Sequence, residues 1–174
     1  MQPANHADQQ FIYPQIRFNF VELKLKEIHD KKIRDILDER AKINLPVIEK
    51  DASIQSLLTI LAARDHVWVA DKKGSRKVVG VVTEKDMLRL LAPARLPKYV
   101  FGKKYGVSIE YGTATKVEDV MCKQLITCSP DDNVGDALQK MVNAGLRRLP
   151  VIDGDEIVGE ITAHYIIQIL LGKR

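Results

Sequence analysis

A chain of 174 residues with 45% hydrophobic and 29% charged content has enough apolar side chain for a packed core and lacks the bias of disordered or fibrous sequences. Its formal charge of +4, from 27 Lys and Arg against 23 Asp and Glu, is too mild to define a nucleic-acid surface, although it favours anionic ligands. Two cysteines without CxxC spacing, four scattered histidines and no apolar run near ~18 residues argue against a structural zinc and a membrane span; with free thiols and no leader pattern, the expectation is a soluble, cytoplasmic chain.

Residues 1–30 read as an N-terminal arm, in which Ile16 to Leu25 alternates too weakly to separate strand from helix. A first folded unit occupies 31–92. Leu45 to Ile48 reads as a short strand, and Ile54, Leu57, Leu58 and Leu61 make one apolar helical stripe. Val67 to Ala70 and Val78 to Val82 read as strands around a turn of Asp, Lys and Gly, and Glu84 to Leu91 as a closing helix. Residues 93–115, with Pro97, Gly102, Gly106 and Gly112, form a linker too long for an ordinary connection.

The second unit, 116–174, runs through the same order. Leu125 to Cys128 is the short strand, with Cys128 a small core residue, and Asn133 the N-cap of a helix carrying Val134, Ala137, Leu138 and Met141 on one stripe. Leu149 to Ile152 and Ile157 to Ile161 are the paired strands, and Ala163 to Leu171 closes the unit. Ile166, Ile167, Ile169, Leu170 and Leu171 are too apolar all round for one buried face, which predicts a homodimer.

The two units are copies. IRDIL from Ile33 matches VEDVM from Val117, KDASIQSLLTIL from Lys50 matches PDDNVGDALQKM from Pro130, and KVVGVVT from Lys77 matches EIVGEIT from Glu156. The offset stays near 80 residues, the mark of one duplicated supersecondary unit. The predicted fold is α/β: β-α-β-β-α twice, as two small three-stranded sheets packed about a pseudo-two-fold, because one such unit alone buries too little apolar surface.

From about Lys32 to Leu171 the chain resembles a CBS-domain pair, or Bateman module. The residues carrying the resemblance are Gly145-Leu146-Arg147-Arg148-Leu149-Pro150, the strand end Val158-Gly159-Glu160-Ile161-Thr162, and Val81-Val82-Thr83-Glu84-Lys85-Asp86. The resemblance implies a non-catalytic regulatory module that senses an adenine nucleotide (AMP, ADP or ATP), acting through its own dimer or an effector protein. Thr83 and Asp86 correspond to the family's ribose clamp, in which a carboxylate accepts from both hydroxyls of a cis-diol. The same Thr-x-x-Asp spacing is also that of a capping box. By the same resemblance, Leu45, Pro46 and Val47 border the base, Val67 and Val82 wall it, Lys85 adds a phosphate charge, and Arg147 or Arg148 contacts phosphate. Adjacent strand residues face opposite ways, so only one arginine reaches a given cleft.

His66 stands where Arg148 does in the second copy. Trp68 replaces the strand proline and is expected in the core rather than as an adenine platform. In the second copy Thr162 keeps the hydroxyl, but Tyr165 stands where Asp86 does and cannot accept both diol protons, so the first cleft is the expected site. No nucleophile triad, acidic dyad or metal-ligand spacing is present. Two alternatives remain: a nucleic-acid-binding adaptor using the basic aromatic stretch from Lys98 to Gly106, and a ligand-free dimerisation module.

Overall fold

The computed structural model describes residues 18–37, 44–91 and 114–173. The linker stretch Lys98 to Gly106 and the arm before residue 18 lie outside the described residues. The described elements are helix α1 (Phe18–His29), the turn of helix α2 (Ile33–Ile36), strand β1 (Val47–Glu49), helix α3 (Ile54–Leu61), strands β2 (His66–Ala70) and β3 (Val78–Thr83), and helix α4 (Glu84–Leu91). After a 3-10 turn at Val117–Asp119 come helix α5 (Val134–Ala144), strands β4 (Arg148–Asp153) and β5 (Glu156–Thr162), and helix α6 (Ala163–Leu170).

The duplicated α/β architecture is present, and the two sheets differ. The first has three strands in the order β1-β2-β3, with β1 parallel and β3 antiparallel to β2; the second has only β4 and β5. The expected strand at Leu125 to Cys128 reduces to one bridge between Cys128 and Val151, with Ile126 and Thr127 exposed. Proline explains the loss. Trp68 N–H donates to the Pro46 carbonyl at 2.8 Å and so extends β1, whereas its counterpart in the second copy is Pro150, which has no N–H to give.

Each repeat's core is completed by the segment preceding the other. Ile28, Ile33 and Ile36 are buried with Val134, Met141, Leu149 and Ile161 of the second repeat. Val117 and Val120 are buried with Leu57, Val69 and Val82 of the first. The exchange is reciprocal in the backbone: Ile33 N–H donates to the Asp132 carbonyl and Val134 N–H to Lys31, while Val117 N–H donates to Ala52 and Ile54 N–H to Thr115. The stretch that was ambiguous in sequence is helical from Phe18, and α1 packs on α5 and α6.

This exchange accounts for the Val-Gly signature of both copies. A Cβ on Gly80 would lie 2.6 Å from Met121 Sδ, and one on Gly159 2.8 Å from Leu37 Cδ2. Glycine is therefore required by the incoming segment, not by its own backbone. Gly145 has a different duty: at φ 65° it ends α5 in the left-handed region, with Leu146 N–H bonded to the Met141 carbonyl at 2.9 Å. In the first repeat Ala63 stands there and the shorter α3 ends without that turn.

Helix caps differ from one copy to the other. Ser53 Oγ accepts from Ser56 N–H at the start of α3, but Asn133, in the N-cap position of α5, makes no side-chain cap bond. Of the apolar closing helix, Ile166 is buried, Ile169 and Leu170 are half-buried, and Ile167 and Leu171 are exposed.

Candidate functional site

Strand directions gather the candidate residues at one end of the first sheet. Because β1 runs parallel to β2 from the Val47 and Trp68 pair, Leu45 and Pro46 stand at the end where β2 begins with His66. His66 pairs with Thr83, the last residue of antiparallel β3, so the turn into α4 with Lys85 and Asp86 is at that end too. In the second repeat Arg148 pairs with Thr162 in the same way.

At the first turn, Asp86 Oδ2 accepts from the Thr83 amide at 2.9 Å and from its hydroxyl at 2.7 Å. The capping geometry is thus made, by one carboxylate oxygen. Oδ1 has no hydrogen-bond partner among the described residues. Lys85 is exposed beside it. Thr162 caps α6 by accepting from the Tyr165 amide at 3.0 Å, and the Tyr165 phenol donates to the Ile36 carbonyl.

Between the two turns lies a polar network that joins the repeats. His66, almost fully buried, has Nδ1 2.9 Å from Asp65 Oδ1 and Nε2 2.8 Å from Glu160 Oε2, while Trp68 Nε1 donates to the same Glu160 oxygen at 3.0 Å. Arg148 is ion-paired with Asp65 and stands 3.8 Å from Glu160 Oε1. Burial pushes the Glu160 carboxyl up, but its bonds from His66 and Trp68 and the nearby Arg148 outweigh that and hold it below the ordinary range. Asp65 is lowered as well: burial raises it, and His66 and Arg148 outweigh the rise.

Several candidate residues are buried or already paired. Val67 and Val82 are fully buried in the first repeat's core. His66 has Nε2 on Glu160 and Nδ1 between Arg148 Nη1 at 2.8 Å and Asp65 Oδ1 at 2.9 Å, and Arg148 is ion-paired with Asp65. Arg147 is exposed, as strand alternation requires when Arg148 points inward. Trp68, only 2% exposed, fills the space between the repeats as expected of a core aromatic.

Leu45 and Val47 line a cavity of about 270 Å³ with Glu49, Lys72, Arg76 and Ile157. Arg76 Nη2 and Nε reach across to the Ile157 carbonyl at 2.8 and 3.0 Å. Asp65, Glu160 and Arg76 did not stand out in the sequence. The available signal was Glu160 itself, a charge at the position of strand β5 where Val81 stands in β3.

Among the described residues no cluster of His, Cys, Asp or Glu is placed to hold a metal, and no helix is long and apolar enough to cross a membrane. Two α-β-β-α units, the first with a leading strand and the second with a single bridge in its place, exchange their leading segments and meet through buried polar side chains, which defines a paired α/β module. The CBS domain family model matches residues 33–93 and 117–172, and the chain belongs to the CBS-domain family as a CBS pair.

An uncharacterized protein of Methanocaldococcus jannaschii is 31% identical over 121 residues, 59% of this chain and 71% of the relative. The alignments with two further curated relatives span only 36% and 40% of their lengths. The CBS domain pair of protein MJ0100, solved with 5'-methylthioadenosine and S-adenosyl-L-methionine, superposes with a TM-score of 0.59 at 22% identity, covering 83% of this chain and 98% of that one. CBSX2, solved in complex with AMP, gives a TM-score of 0.61 at 25% identity, covering 82% of this chain and 98% of that one.

Proposed function

We propose that this CBS pair senses an adenosyl ligand, AMP or ATP in kind, at the first strand-to-helix turn, and acts without catalysis through its own dimer or a separate effector protein. The observation that carries the reading is the divided Asp86 carboxylate. One oxygen holds the turn and the other is an unspent acceptor, the group that a ribose diol requires. Leu45, Pro46 and Val47 stand at the same end of the sheet as a border for the base, with Lys85 and Arg147 as exposed cations for phosphate. Thr162 would bound the cleft from the second repeat, and His66 and Arg148 would form its floor. The ligands of MJ0100 and CBSX2 support the adenosyl class.

Titration calorimetry with AMP, ADP, ATP and S-adenosylmethionine tests the proposal on the parent and on Asp86→Asn. A charge-assisted hydrogen bond is worth about 1.5–3 kcal/mol, so the variant should bind roughly tenfold to a hundredfold more weakly. An Asp86→Asn protein that binds as tightly as the parent would return Thr83 and Asp86 to capping alone. No binding by the parent would sink the reading.

A further inference from the structure

The repeat register sets Tyr165 at the place of Asp86, since Thr83 ends β3 opposite His66 and Thr162 ends β5 opposite Arg148. At these matched turns the chemistry is inverted. In the first, the side chain three residues on accepts from the threonine; in the second, the threonine hydroxyl accepts from the Tyr165 amide, and the freed phenol reaches Ile36.

The Ile36 carbonyl belongs to the segment that the second repeat borrows from the N-terminal side. Ile33 and Ile36 are buried in the second core, and Leu37 is seated on Gly159. Tyr165 itself packs, half-buried, against the same core. Tyr165 therefore stands at the sequence position of a diol-binding carboxylate, packs on the second core, and spends its hydroxyl on the chain's own backbone. Among the described residues the first repeat has no such tether: Met121, the counterpart of Leu37, is seated on Gly80, while Asp86 bonds within its own turn.

We infer that Tyr165 is a built-in occupant of the second cleft: it pins the Ile33–Ile36 turn to the second repeat and leaves the module one adenosyl site per chain. The stoichiometry part rests on the function proposed above; the tether does not. Ligand binding then bears on one half only, and the first repeat is the responsive half of the pair.

Two measurements decide it. In calorimetry with AMP, the parent should bind one equivalent per chain, and Tyr165→Asp, which removes the ring and supplies a carboxylate, should bind two. Two equivalents in the parent, or one in a folded Tyr165→Asp, would overturn the single-site inference. In hydrogen exchange without ligand, Tyr165→Phe keeps the ring and loses the donor. The Leu37 amide, bonded to the Ile33 carbonyl, should then exchange about tenfold faster, while its counterpart at Met121, bonded to Val117, should not change. Equal exchange at Leu37 in parent and variant would overturn the tether. A parent that binds no adenosyl ligand would sink the proposed function and the stoichiometry, and the exchange result would still decide the tether.

Discussion

Trp68 of the first repeat and Glu160 of the second are joined by a hydrogen bond of 3.0 Å from the indole to the carboxylate. The same oxygen also faces His66 at 2.8 Å, so one acceptor from β5 satisfies two polar side chains buried in β2. A hydrophobic contact between repeats would be indifferent to sliding. This contact is directional, and it fixes how the two sheets face each other.

Replacing Glu160 by Ala should therefore cost more than an ordinary hydrogen bond. His66 and Trp68 would both lose their shared acceptor in a buried setting, at about 3 kcal/mol of unfolding free energy. Trp68→Phe removes one donor and keeps most of the volume, and should cost about 1–2 kcal/mol. Chemical denaturation midpoints measure both, and a Glu160→Ala protein no less stable than Trp68→Phe would contradict the shared-acceptor account.

The same group gives stability a defined acid dependence. Glu160 in the folded protein titrates below its ordinary range, so its contribution is complete above the unfolded value of about 4.3 and is lost as pH falls through the folded value. Asp65 acts in the same direction. Between roughly pH 5 and pH 3 the parent should lose stability more steeply than Glu160→Gln, which cannot titrate there. Parallel curves for the two proteins would show that the network adds nothing to acid sensitivity.

The two thiols should differ in reactivity. Cys128 is buried and desolvation pushes its thiol up to about 12, only partly offset by Lys140, whereas Cys122 is exposed. A thiol reagent at pH 8 should modify Cys122 in the native protein and reach Cys128 only on unfolding. Rapid modification of both in the native state would mean that the second core opens readily.

Adding a methyl at the two signature glycines should have unequal effects. Gly159→Ala meets only the movable end of Leu37, while Gly80→Ala also meets the Cys122 carbonyl at 3.1 Å. Both should destabilise by about 1–3 kcal/mol, with Gly80→Ala the worse. Leu37→Ala should largely rescue Gly159→Ala, and Met121→Ala should rescue Gly80→Ala only in part. Equal rescue at the two sites would remove the carbonyl from the explanation.

The two closing helices expose apolar side chains at matched positions. Leu88 in α4 and Ile167 in α6 occupy matching positions of the two closing helices and are 65% and 53% exposed. Light scattering at micromolar concentration should report a homodimer, and Leu88→Glu with Ile167→Glu should shift it to a monomer. A parent that is already monomeric would leave signalling to a separate effector.

The repeat, the order of its elements and the inward or outward sense of most strand residues were determined by the sequence, because local periodicity encodes them: the Leu57 and Leu61 stripe and the alternation at Arg147 and Arg148 are decided within a few residues. What only the tertiary structure decided involves partners far apart in the chain. Ile33 and Val117 look like ordinary members of their own repeats, yet each completes the core of the other copy. Pro150 matches the family strand, yet its missing N–H reduces the third strand of its sheet to a bridge. Arg148 reads as a free cation for phosphate until Asp65, 83 positions away, claims it. Ion pairs, close approaches and exchanged segments depend on which surfaces the pseudo-two-fold brings together, and no local pattern of residues records that.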